Sequence, residues 1–141
     1  MDGDSLYDSL IVRRAREPHH AGELADATAQ AAGNNPLCGD RVALGVRVDG
    51  GRIAAARHVT KGCAICAASA DLMAGSIEGR TLSEALDMAG RFHHMLGNGS
   101  AVELNDLPES MAAFLPLKTH RSRLRCATLP WTALEEALGH D

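Results

Sequence analysis

The stretch Arg41-Val42-Ala43-Leu44-Gly45-Val46-Arg47-Val48-Asp49-Gly50-Gly51-Arg52-Ile53-Ala54-Ala55-Ala56-Arg57-His58-Val59 sets the architecture of this chain. Val42, Leu44, Val46 and Val48 recur at every second position, the period of a strand with one buried face. Asp49-Gly50-Gly51 is turn chemistry, and Arg52 to Val59 makes a second strand, so the segment predicts a β-hairpin. Lys61-Gly62 breaks that strand. From Ala64 to Ile77 the residues are small and apolar and suit a buried helix packed closely against a neighbour. Thr81-Leu82-Ser83-Glu84 has the pattern of a capping box, with Thr81 as N-cap and Glu84 at the third helical position. The helix it opens should run to about Leu96, where Gly97-Asn98-Gly99 ends it.

Outward from this centre the signals are weaker. Ser5 to Ala15 reads as a short amphipathic helix with Leu6, Leu10 and Ile11 on one face, stopped by Glu17-Pro18. His19, His20 and Gly22 follow in a loop, with the two histidines expected to face solvent. Glu23 to Ala32 is rich in Ala and Thr and fits a short edge strand, and Gly33-Asn34-Asn35-Pro36 is turn chemistry. Downstream, Asp106 to Phe114 predicts another short helix because Pro108 suits a first turn. The last helix is expected over Pro130 to Leu138. With no internal repeat and no linker, the pattern supports one domain over residues 1–141. Its class is α+β, a small antiparallel sheet with helices packed on one face.

Composition narrows the function. The 141 residues carry 14 Lys+Arg against 18 Asp+Glu, a formal net charge of −4. A duplex-binding surface needs a cationic stripe, and single-strand readers need aromatic platforms; 3% aromatic residues argue against the second as the charge does against the first. We expect no nucleic-acid partner. No apolar run approaches a membrane span, and Met1-Asp2-Gly3-Asp4 lacks the regions of a secretory signal. A cytoplasmic protein without a membrane partner is the expectation.

The four cysteines then point to metal or sulfur chemistry rather than to disulfides. Cys38 falls in the turn before the hairpin, Cys63 where the second strand gives way to a helix, and Cys126 just ahead of the expected last helix. Such boundary positions place side chains on a rim, where they can converge on an ion. Asp40 lies two residues after Cys38, so in an extended segment both point to one side. Three thiolates and a carboxylate make four ligands, the number a tetrahedral zinc site takes; iron bound by thiolates competes. At a helix N-terminus beside Lys61, the Cys63 thiol should be acidified. Cys66 should lie on the same helical face one turn on.

Each residue also has a plainer reading. Cys63-Ala64-Ile65-Cys66 also fits a thioredoxin-like redox pair, half a zinc knuckle or two core thiols, although the redox motif belongs after the first strand of a βαβ unit. Asp40 after Gly39 could be a turn residue bonding its own backbone. Cys126 alone could be a small buried hydrophobe. His58 and His120 stay open as ligands, and His93-His94 read as surface residues on a helix. Arg121, Arg123 and Arg125 form a basic run, either a solvated face or a hold for an anionic partner.

Together, three blocks resemble the IscU/NifU-type iron–sulfur assembly scaffolds. These are Asn35-Pro36-Leu37-Cys38-Gly39-Asp40, then Gly62-Cys63-Ala64-Ile65 with Ala68-Ser69-Ala70 and Leu72-Met73, and Arg125-Cys126-Ala127-Thr128-Leu129-Pro130-Trp131. The match spans nearly the whole chain. The long stretch between Gly97 and Arg123, and Arg125 before the last cysteine, resemble the SufU branch most. The resemblance implies the α+β fold, and a zinc ion or iron–sulfur cluster at Cys38, Asp40, Cys63 and Cys126. It implies a cysteine desulfurase as sulfur donor and iron–sulfur acceptor proteins downstream, with Cys126 as the persulfide acceptor of a sulfurtransferase. An alternative is a scaffold that assembles a [2Fe–2S] cluster on the same ligands, and another a structural zinc module. SufU-type proteins usually have serine where Cys66 stands; that thiol is an auxiliary ligand or sulfur relay, or a silent exchange.

Overall fold

A computed structural model describes residues 9–35, 39–97, 114, 117 and 121–138. In chain order the elements are α1 (Ser9–Arg16), β1 (Ala29–Asn35), β2 (Asp40–Asp49), β3 (Arg52–Lys61), α2 (Ala64–Ile77), α3 (Leu82–Gly97) and α4 (Arg121–Leu138). The three strands form one antiparallel sheet in the order β1-β2-β3. The predicted hairpin is its core. Val42, Leu44 and Val46 are buried and the residues between them face outward, while Gly50 and Gly51 take the positive φ values, 59° and 78°, that a tight hairpin turn asks of both central residues.

Helices cover the inner face. The α2 helix begins and ends where the sequence predicted, and ten of its residues are buried, which is why it shows no polar stripe. The capping box forms as read: Glu84 N–H donates to Thr81 Oγ1 at 3.1 Å, and Thr81 N–H donates to Glu84 Oε1 at 3.0 Å. The described aromatic residues gather in one place. Phe92 of α3 stacks on Trp131 of α4, centroids 5.0 Å apart, and meets Phe114 edge to face at 5.7 Å. Such pairing leaves no aromatic platform on the surface among the described residues.

Three local expectations are corrected. Gly33-Asn34-Asn35 is not a turn but the end of β1, paired residue for residue with Val42, Arg41 and Asp40. Gly33 sits in the strand because a Cβ there would come within 2.9 Å of Leu129 Cδ1; close helix approach, not turn geometry, explains that glycine. The β1 strand thus spans Ala29–Asn35 rather than the Glu23 to Ala32 segment. The last helix begins at Arg121, nine residues before Pro130, and carries the proline inside it. Proline cannot donate to the carbonyl four residues back, that of Cys126, but burial of Cys126, Ala127, Trp131 and Leu134 against the core outweighs the lost bond. The Ser5 to Ala15 helix is seen from Ser9, and of the expected Asp106 to Phe114 helix only Phe114 is among the described residues, fully buried.

The segment between α1 and β1 crosses the sheet. His19, His20 and Gly22 are anchored at the β3 edge: His58 N–H donates to His20 O at 3.0 Å and Gly22 N–H to His58 O at 2.8 Å. The chain then passes over the outer face, where a Cβ on Gly45 would lie 3.3 Å from that of Ala27, and joins β1 at Thr28. No described helix is long and apolar enough to cross a membrane.

Candidate metal centre

Hairpin, helix start and last helix meet at one end of the sheet. One ligand atom each from Asp40, Cys63 and Cys126 lies within 4.8 Å of the other two. Zinc bonds of 2.0–2.3 Å put tetrahedral ligand atoms roughly 3–4 Å apart, so this trio needs little adjustment to share an ion. Each member arrives by a different route. Asp40 opens β2 with its side chain on the inner face, 1% exposed. Cys63 occupies the N-cap position of α2 with extended backbone, φ −77° and ψ 164°. Cys126 is fully buried in the middle of α4.

The Asp40 carboxylate is held by Cys63 and by a glycine. Cys63 N–H donates to Oδ1 at 3.0 Å, and the Cys63 thiol points at Oδ2 at 3.6 Å. Gly62, at φ +146°, has Asp40 where its own side chain would be: a Cβ would stand 2.1 Å from Oδ1 and 2.9 Å from the Asp40 Cα. No described cation pairs with this carboxylate. A buried charge without a counter-charge is costly. A divalent cation between Asp40 and the two thiolates supplies what the protein leaves out, so the residues present fit a metal by donor chemistry as well as by position.

The remaining candidates separate. Cys38 and His120 lie outside the described residues, as do Pro36 and Leu37. Cys66 is fully buried in the core and does not join the trio. Cys63 and Cys66 are not joined in a disulfide. Cys126 lies inside α4 and not at its edge, and its place in the trio comes from the packing of α4 against α2. Ser69 of α2 donates its hydroxyl to the carbonyl of Ala127, the residue after Cys126, at 2.5 Å. Arg125 is exposed, and His93 lies 3.2 Å from Glu135 on the α3–α4 surface.

His58 is not a metal ligand here. It is buried with Nε2 3.0 Å from Asp71 Oδ1 and Nδ1 2.8 Å from Thr60 Oγ1. A carboxylate only accepts, so the shared proton sits on Nε2. Asp71 also accepts the backbone N–H groups of His19 at 2.9 Å and His20 at 2.7 Å. Burial pushes its carboxyl up, but the His58 bond and the two N–H groups outweigh that and hold it at about 2. Sequence reading missed Asp71. It reads as the one charged residue in an apolar helix, and only tertiary contacts explain it: His58, 13 residues away, and the backbone of His19 and His20, 52 and 51 residues away. The His19 side chain faces solvent as expected, with only its backbone N–H turned in to Asp71, whereas His20 is half-buried against Glu78, Nε2 to Oε1 3.2 Å.

Residues 6–139 match the family described as NifU-like N terminal domain. The chain belongs to that family. It is 33% identical over 138 residues to the zinc-dependent sulfurtransferase SufU of Bacillus subtilis, covering 98% of this chain and 92% of that one. To the iron–sulfur cluster assembly scaffold protein IscU of Streptococcus pyogenes it is 32% identical over 133 residues, 94% of this chain and 82% of the relative. The fold matches the crystal structure of FiSufU from Fervidobacterium islandicum AW-1 with a TM-score of 0.90 at 32% identity, covering 96% and 98% of the two chains. The family resemblance and the α+β fold read from the sequence are both borne out.

Proposed function

We propose that this protein serves iron–sulfur cluster assembly as a sulfur acceptor of SufU type, taking persulfide sulfur from a cysteine desulfurase at Cys126. The observation that carries the reading is the buried Asp40 carboxylate, with no cation beside it among the described residues, packed against two cysteine sulfurs. Asp40, Cys63 and Cys126, with Cys38 as fourth member, would hold zinc; when bound, such an ion keeps cysteine ligands deprotonated. An iron–sulfur cluster built on the same residues is cargo for downstream acceptor proteins. Cys66, in the core, acts as packing. The whole chain, residues 1–141, works as one cytoplasmic domain.

In the transfer step the Cys126 thiolate attacks the outer sulfur of the donor's persulfide. A new S–S bond forms at Cys126 as the donor's S–S bond breaks, and the electron pair leaves on the donor cysteine as a thiolate. No outside oxidant or reductant is needed. Asp40 and the N-cap position of Cys63 keep the neighbouring thiol and carboxylate in place, and α4 holds Cys126 beside them.

The test combines metal analysis with one variant. Protein purified without added metal should hold about one zinc and be colourless, and should stimulate a cysteine desulfurase. Cys126→Ser should fold but accept no sulfur. A Cys126→Ser protein that stimulates the desulfurase fully removes Cys126 from the role. A wild-type protein that carries a coloured cluster and accepts no sulfur favours the scaffold reading, to which the IscU relative lends its name.

A further inference from the structure

Among the described residues, the outer face of the sheet is covered at one end only. The Gly22 to Ala27 crossing lies over Gly45, and there Arg47 is paired with Asp26 at 2.8 Å and Arg57 with Glu78 at 2.9 Å. Toward the metal end no described segment crosses the face. Strand register places Asn34, Arg41 and Lys61 side by side in the outermost row and Ala32, Ala43 and Val59 in the next. Together they line a shallow hollow of about 270 Å³. Val59, 37% exposed, is the only large apolar side chain standing out in solvent among the described residues. Arg41 and Lys61 are both exposed, and neither has a carboxylate partner among the described residues.

Arg41 and Lys61 thus place two positive charges beside the exposed Val59. Their position is specific as well. Arg41 follows Asp40 directly, and Lys61 stands two residues before Cys63, so this row is the outward rim of the candidate metal centre. The small side chains of Ala32 and Ala43 leave room above the floor for a side chain from outside. Such a surface complements a protein segment that presents an apolar residue flanked by carboxylates. Nucleic acid is a poor match, since two cations, with no exposed aromatic ring among the described residues, give neither a stripe nor a platform.

We infer that the sheet face formed by Arg41, Lys61 and Val59 is where the sulfur-donating protein docks, through an acidic segment with an apolar side chain seated on Ala32, Ala43 and Val59. This rests on the sulfur-acceptor reading. The donor then grips the outer face and reaches the sulfur atoms around the sheet end, so binding and chemistry use different side chains.

The experiment titrates this protein against the cysteine desulfurase of the same organism and follows cysteine turnover. R41E/K61E and V59D are the variants; metal content and circular dichroism confirm that they fold, as expected for exposed side chains. The half-saturating concentration should rise about tenfold or more in each, with the rate at saturation within about twofold of wild type. Added salt should weaken the wild type and barely affect R41E/K61E. Unchanged half-saturation in both variants overturns the surface, as does a lower saturating rate alone. If the wild type neither stimulates the desulfurase nor accepts sulfur, the sulfur-acceptor reading fails and takes the surface with it. If the variants instead dissolve a dimer seen in sedimentation, the face belongs to a second copy and the inference is wrong.

Discussion

Replacing Gly62 with alanine tests the metal centre at its tightest point. The added methyl would stand 2.1 Å from Asp40 Oδ1, 2.7 Å from Cγ and 2.9 Å from the Asp40 Cα. Rotating the carboxylate away relieves the first two contacts and leaves the third, because the Cα belongs to the β2 backbone. The rotation also breaks the 3.0 Å bond from Cys63 N–H, a charge-assisted bond worth about 2 kcal/mol. A φ of +146° on a residue with a Cβ adds about 1–3 kcal/mol of strain, and the stiffer unfolded chain returns less than about 1 kcal/mol. The net loss is roughly 3 kcal/mol, equivalent to a fall in Tm of about 10 °C for a domain of this size. Metal affinity should drop by about tenfold to a hundredfold as the carboxylate leaves its place. Thermal melts and competition with a zinc chelator read both quantities. Gly90→Ala is the matched control: nothing lies within 4 Å of a Cβ there, and a helical glycine replaced by alanine should gain about 0.5–1 kcal/mol. If Gly62→Ala melts with the wild type and keeps its zinc as firmly, the carboxylate does not stand where this account needs it.

Two further predictions concern the supports behind the site. Asp71, held at about 2 against an ordinary 3.8, contributes stability that is present above pH 4 and lost as the pH falls toward 2, about 2 kcal/mol in all. Urea unfolding of wild type and Asp71→Asn should therefore converge by that amount between pH 5 and pH 2, and a constant gap would mean that the carboxylate is not anchoring the His19-His20 segment. Ser69→Ala removes the hydroxyl bonded to Ala127 O and should cost about 1 kcal/mol. It should also speed alkylation of Cys126 relative to Cys63, read by mass spectrometry; equal acceleration at both cysteines would show general loosening and not a hold on Cys126.

Elements with local causes were legible without coordinates. Alternating valines need one buried face, Gly50 and Gly51 permit the turn, and Thr81 with Glu84 closes a cap within four residues, so these parts carry their instructions in short windows. The same holds for Cys63, which a broken strand and a following helix place at an N-terminus. Residues whose conformation is set from far along the chain were read wrongly or not at all. Gly33 and Asn34 look like a turn until Leu129 packs against the strand, and Pro130 looks like a helix start until the buried face of α4 outweighs one missing bond. Asp71 has no meaning in its own helix; its partners are His58 and the N–H groups of a segment 51 and 52 residues earlier. Three block motifs sufficed to indicate the chemistry, because ligand type is a property of side chains. Which of those side chains meet depends on how α4 lies against α2 and the sheet, and packing of that kind is decided only when the whole core is assembled.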